Sequence, residues 1–332
     1  MAKGIKDTDY LALSTRIRAM ENGLLNRERL EQLLEARSDE DAAKLLQECG
    51  YPELDPGKPD EMDAAISQVR EEVLRDLSDG APDQRFLDFF RVRYDYHNAK
   101  AAVKAFALGT EPEKMFSGLG RVPASEVMDA VRSGDFDNLP ETFGQAVAEA
   151  KEIIETTRDP QLSDISLDRH MYADLTALAD ETGSAFLKGY VVMQIDAENL
   201  RALVRTLRMG RNADFLKGVL LDGGELDAES VLSVANGASL TELYAPTAFS
   251  AAAEVGAEAV KGAPLTAFEK LCDDAVMNYL SGAQFVPFGD APLVGYLAAK
   301  ETEYANLRIL LLGRAAGLSP DVIRSRLRAG YV

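Results

Sequence analysis

One helical motif, written three times at intervals of about a hundred residues, constrains this chain more than any other feature. The copies are Asp95-Tyr96-His97-Asn98-Ala99-Lys100, Asp196-Ala197-Glu198-Asn199-Leu200-Arg201 and Glu303-Tyr304-Ala305-Asn306-Leu307-Arg308. Each reads acid, two variable residues, Asn, a small or aliphatic residue, base. A glycine follows each Asn eleven positions on, at Gly109, Gly210 and Gly317. A fainter copy begins at Asp9, with Ala12 in place of the Asn and a glycine at Gly23. The spacing is too long for a solenoid and suits triplication of a small helical domain, read as 1–109, 110–210 and 211–332. Like units can close into a ring.

The elements between the copies are helical. Ala, Leu, Glu and Arg dominate, and runs of Val, Ile and Thr are almost absent, so the expected fold class is all-α. Each glycine closes a long helix, expected over 82–109, 183–210 and 291–317, with Pro82 and Pro292 near two of the starts. Shorter helices are expected over 61–78, 141–157, 165–181, 247–260 and 265–280, with loops at 50–60, 158–163 and 282–292. A short capped helix recurs after each glycine: Val122 to Val127, Leu226 to Val231, Leu318 to Ile323, and Leu25 to Leu30 after Gly23. The chain therefore begins and ends in the middle of a unit.

Charge narrows the partners. A net charge of −19 argues against nucleic acid, whose phosphates demand a basic stripe. The distribution is uneven: no base stands between Lys217 and Lys261, whereas 295–332 holds six bases against three acids. Cys49 and Cys272 are far apart and outside any CxxC, which fits a reducing, cytoplasmic compartment. The opening residues lack the apolar run of a signal peptide, and no apolar run reaches the ~20 residues of a membrane span.

The repeated residues carry two readings each. Three, four and seven positions beyond each Asn stand apolar or small residues (Ala101, Ala102, Ala105; Ala202, Leu203, Thr206; Ile309, Leu310, Gly313). The Asn thus lies at the edge of a buried stripe, where it either fixes register against a neighbouring segment or meets a partner. The bases Lys100, Arg201 and Arg308 point to another side of the helix. Lys104 and Arg205 extend the row by a turn, and Arg18 takes the matching place in the faint copy. These six either solvate their helices or line a hollow that receives an acidic rod.

Catalytic patterns fail one by one. His170 has only Asp174 at helical spacing, and His97 has no second ligand, so no metal site is expected. Gly50 to Lys58 lacks the spacing and the Ser or Thr of a phosphate loop. Gly118-Leu119-Gly120 lacks the third glycine of a dinucleotide loop. Asp273-Asp274-Ala275-Val276-Met277 approaches the DDxxD of helical prenyl-diphosphate enzymes, yet Met277 replaces the last acid. The reading is of a protein without cofactor, metal or enzymatic activity.

The ordered set resembles the C subunit of V-type and archaeal-type ATPases, the family of the eukaryotic d subunit. The residues that carry it are Tyr10-Leu11-Ala12-Leu13-Ser14-Thr15-Arg16-Ile17-Arg18, then Leu24 to Leu34, Asp41 to Leu46, the Asp/Glu-x-x-Asn-Leu-Arg helices and the closing 318–332. Ala99 and Lys100 depart from the Asn-Leu-Arg form in the first copy. The resemblance implies a funnel of three helical domains with pseudo-three-fold symmetry. It implies that the mouth receives the central rotor shaft (D- and F-type subunits) and that the other face sits on the membrane ring (c/K-type subunits). The rival reading is a cytoplasmic helical adaptor unrelated to ion pumping.

Overall fold

The computed structural model describes residues 5–55, 57–112 and 115–332; residues 1–4 and 56, which fall in the opening stretch and in the expected loop at 50–60, lie outside them. The fold is all-α, with no strand among the described residues. Its helices are α1 (Leu11–Glu21), α2 (Arg27–Leu34), α3 (Asp39–Glu48), α4 (Pro59–Ser78), α5 (Arg85–Leu108), α6 (Ala124–Ser133), α7 (Glu141–Thr157), α8 (Pro160–Thr182), α9 (Ala185–Arg208), α10 (Ala213–Val219), α11 (Ala228–Ala235), α12 (Leu240–Tyr244), α13 (Ser250–Val260), α14 (Leu265–Leu280), α15 (Asp290–Ala315) and α16 (Pro320–Arg324). Turns of 3-10 helix lie at Asp7–Tyr10 and Ser281–Phe285.

The three motif helices are α5, α9 and α15, of 24, 24 and 26 residues. Gly109, Gly210 and Gly317 stop them in the left-handed conformation, with φ of 65°, 63° and 68°. Glycine reaches that region with the least strain, which suits these three positions to a helix end. All four short helices form: α2 and α11 are capped by the side chains of Asn26 and Asp227, whereas α6 follows Pro123 and α16 follows Ser319 without a side-chain cap.

Several boundaries differ from expectation, most clearly at two loops. The loop at 158–163 shrinks because Arg158 turns left-handed (φ 56°), the Asp159 side chain accepts the Gln161 N–H, and Pro160 starts α8 at once. The loop at 282–292 contains a 3-10 turn, and α15 begins at Asp290. Pro292 sits in its first turn, where the missing N–H has no intrahelical partner to lose.

The chain divides into two compact units. The smaller comprises Gln84–Val191 with Leu221–Gly223, and the larger comprises Met1–Asp83, Val192–Leu220 and Gly224–Val332. In the smaller unit α5 packs on α6, α7 and α8. Its core holds Phe89, Val92, Val127, Phe143, Val147, Leu167 and Leu175, each wholly buried, and Tyr96 meets Phe143 edge-on at 5.2 Å. Each such side chain contributes about 1.5–3 kcal/mol on burial.

Two apolar cores lie among the described residues of the larger unit. One joins α9 to α10–α14 through Leu200, Leu203, Val231, Phe249 and Phe268. The other joins α15 and α16 to α2–α4 through Leu33, Leu46, Met62, Leu307, Leu310 and Ile323. Thus the opening of the chain supplies the short helices around α15. The basic tail is spent on the same junction. Arg314 donates to the carbonyls of Leu33, Leu34 and Ala36 at 3.4, 3.1 and 3.0 Å, and Arg324 pairs with Glu31 at 2.8 Å.

A candidate interface built on the repeated motif

The acid of each motif is buried: Asp95 is 0% exposed, Asp196 4% and Glu303 6%. All three do the same work. Each carboxylate accepts backbone N–H groups from the segment that leads into a short helix. Asp95 takes those of Arg121 and Val122 at 2.7 and 3.0 Å, just before α6. Asp196 takes those of Glu225 and Leu226 at 3.0 and 3.4 Å, just before α11. Glu303 takes that of Leu25 at 2.6 Å, just before α2, across 278 positions of sequence.

Backbone approaches the two aspartates closely. A Cβ on Gly120 or Gly224 would collide with Asp95 Oδ1 or Asp196 Oδ1, respectively. In the third copy Leu24 precedes the bonded N–H, and glutamate, longer by one methylene, spans the extra distance.

The rest of each acid's surroundings differs. The Arg121 guanidinium binds Asp95 at 2.7 Å. Glu303 accepts from the Tyr51 hydroxyl at 2.6 Å and pairs with buried Lys300, whose ammonium lies 5.3 and 5.0 Å from the ring centres of Tyr51 and Tyr304. Burial and the neighbouring Glu303 charge push the Tyr51 hydroxyl far above its ordinary pKa, so it remains a donor. For Asp196 burial outweighs the two amide donors and raises its pKa above the ordinary value.

A pH dependence follows. A raised native pKa means that the folded state holds the proton more tightly than the unfolded chain does. The stability this contributes is complete at low pH and is lost as pH rises through the native value. Asn cannot titrate, and its amide imposes a constant offset. The stability of Asp196→Asn relative to wild type should therefore improve between about pH 3 and pH 7. Denaturant midpoints across that range measure it, and a flat difference contradicts it.

The asparagines fix register. Asn98 donates to Ser117 O at 2.9 Å and accepts from Ser117 N at 2.8 Å. Asn306 clasps Arg328 in the same way, at 3.2 and 2.8 Å. Asn98, Asn199 and Asn306 are all buried, inside the stripe rather than at its edge.

The bases each meet acids of their own chain. Lys100 pairs with Asp168 at 2.5 Å and Lys104 with Asp164 at 2.6 Å, both on α8. Arg201 binds Glu198 at 2.7 Å, Glu269 at 3.0 Å and also Asp273, and Arg205 shares Glu269 at 2.7 Å. The steps from Lys100 to Asp168 and from Arg201 to Glu269 are both 68 residues, so the pairing repeats with the motif. Arg308 pairs with Asp63 on α4 at 3.0 Å. Arg18 binds Glu21 and donates to the carbonyls of Ala283 and Val286 at 2.6 Å each. Arg205 and Arg308 keep 52% and 59% of their side chains exposed, so an outside acid can still reach them.

The groups weighed for chemistry are also engaged. His97 meets Met115 O at 2.8 Å and His170 meets Glu149 at 2.9 Å. Asp174 accepts from the Tyr96 hydroxyl at 2.7 Å. Asp273 joins Arg201 to Arg328, and Asp274 accepts the Ala329 N–H at 2.6 Å. Sequence reading missed Asp174, Asp273 and Asp274 in these pairings because they lie 55–78 positions from the groups they hold.

The chain as a whole has counterparts among known proteins. The profile of the ATP synthase (C/AC39) subunit family matches residues 13–326. The chain belongs to that family. It is 26% identical to the C subunit of the V-type sodium ATPase of Enterococcus hirae, over 97% of this chain and 99% of the relative. It is 25% identical to the C subunit of the A-type ATP synthase of Methanocaldococcus jannaschii, over 96% and 86%. With its namesake from Haloferax volcanii it shares 27%, over 81% of each. As a C/AC39 subunit the chain is a structural component of a rotary ATPase rather than one of its catalytic chains. No helix among the described residues is long and apolar enough to cross a membrane.

Proposed function

We propose that this chain is the cytoplasmic socket of the central stalk in a V/A-type rotary ATPase. Three homologous bundles, read along the chain as 1–109, 110–210 and 211–332, surround a hollow with pseudo-three-fold symmetry. The hollow receives the foot of the rotor shaft, and the opposite face rests on the membrane ring. The protein turns with both and joins ATP chemistry to ion transport without a reaction of its own.

The family match across residues 13–326 carries this reading. The motif supports it physically. A joint that transmits torque must not store twist, and here each long helix is tied to its bundle by a buried carboxylate. Close packing makes such an interior stiff. Arg205 and Arg308 are the motif bases best able to meet individual acidic side chains of the shaft, through contacts that weaken with salt.

Affinity-tagged chain returned to its host should co-purify with both shaft subunits and the ring. Recovery of neither would favour the adaptor reading. Reversing Arg205 and Arg308 to Glu should weaken shaft binding without unfolding the protein, and undiminished binding would remove those two bases from the interface.

A further inference from the structure

The segment 281–289 reads Ser-Gly-Ala-Gln-Phe-Val-Pro-Phe-Gly, nine uncharged residues in a chain that is 27% charged. Phe285 is 86% exposed and Phe288 38%. Single exposed apolar residues are ordinary, but this loop is held in place by dedicated polar groups. Arg18 donates to the carbonyls of Ala283 and Val286 at 2.6 Å each. Ser14, 1% exposed, exchanges bonds with both the N–H and the carbonyl of Gly289 at 3.3 Å. Gln284 donates to Tyr331 O in the carboxy-terminal tail. A loop so fixed presents its aromatic rings on a backbone that is already ordered before binding.

The surroundings define what can cover it. Asp7 lies against Gly289, Asp9 and Asp290 stand beside these two in the chain next to Lys6, and Arg18, which holds the loop, is already paired with Glu21. The whole chain carries −19. Anionic lipid and nucleic acid are therefore repelled, and a cleft with a basic rim is attracted. The loop also occurs once. The segments before α5 (79–84) and α9 (183–184) hold no aromatic residue. A ring of identical subunits is matched by a repeated feature, whereas a single projection suits a partner present in one copy.

We propose that loop 281–289 is a docking knob for the foot of the rotor shaft, with Phe285 entering an apolar cleft rimmed by Lys or Arg. This rests on the socket reading and adds the point that sets the angular register between socket and shaft.

The test is titration of the full chain, wild type and Phe285→Ser, against the purified two-subunit shaft and, separately, the membrane ring in nanodiscs. Phe285→Ser should bind the shaft about tenfold or more weakly, as loss of an aromatic anchor does. Ring affinity and melting temperature should stay unchanged, and Phe285→Leu should recover part of the loss. Wild-type shaft affinity in Phe285→Ser, or a loss confined to the ring, overturns the knob and leaves the socket standing. Phe285-dependent binding to phosphatidylglycerol vesicles overturns it in favour of lipid. If the wild-type chain binds neither shaft nor ring, the socket reading falls and the knob falls with it.

Discussion

Replacing Glu303 by Ala should remove about 3–5 kcal/mol of folding stability, the loss typical when one member of a buried ion pair is deleted. Lys300 and the Tyr51 hydroxyl would be left in the interior, and the Leu25 N–H would lose its acceptor. The side chains of Lys300 and Glu303 are 9% and 4% exposed, so both charges are largely withdrawn from water. The loss is local to the junction between α15 and α2. Hydrogen exchange should therefore rise first in α2–α4 and α15, ahead of α5–α8. Lys300→Met combined with Glu303→Gln should regain more than half of the loss, because the uncompensated charge disappears with its partner. Denaturant unfolding of the two variants checks this, and equal losses in both would contradict it.

Arg201→Met should cost about 2–3 kcal/mol, below the full value for a buried pair because Glu198 and Asp273 are each 39% exposed. The arginine is 10% exposed and bridges three acids, and without it Glu198, Glu269 and Asp273 repel one another. Adding Asp273→Asn should relieve part of that repulsion while freeing Arg328, so the double variant should fall between the single variant and wild type. Arg205→Met, at a side chain 52% exposed, should cost under about 1 kcal/mol. The contrast between neighbouring arginines of one helix separates a holding role from an exposed one. Similar losses for Arg201 and Arg205 would refute that division.

Much of this architecture is written locally in the sequence. Gly109, Gly210 and Gly317 end α5, α9 and α15 because a left-handed residue is needed there. Asn26 and Asp227 stand at helix starts because N–H groups there need acceptors, and their side chains accept from Arg29 and Ser230. The apolar stripe beside the repeated Asn was legible because it recurs in three copies, but not that Asn98 would clasp Ser117 and Asn306 would clasp Arg328. The partners were not legible. Glu303 binds Leu25 across 278 positions and Arg308 binds Asp63 across 245, and no local pattern encodes such closures. The rigidity of loop 281–289 was hidden for the same reason, since Ser14, Arg18 and Tyr331 that hold it are remote in sequence. The bases beside the Asn showed their spacing but not that acids on α8, α14 and α4 await them.

Sedimentation of the purified chain with the purified two-subunit shaft tests the central claim most directly. A socket gives a stable complex of one chain to one shaft, weakened by salt. Independent sedimentation of chain and shaft at micromolar concentration and low ionic strength would contradict the account.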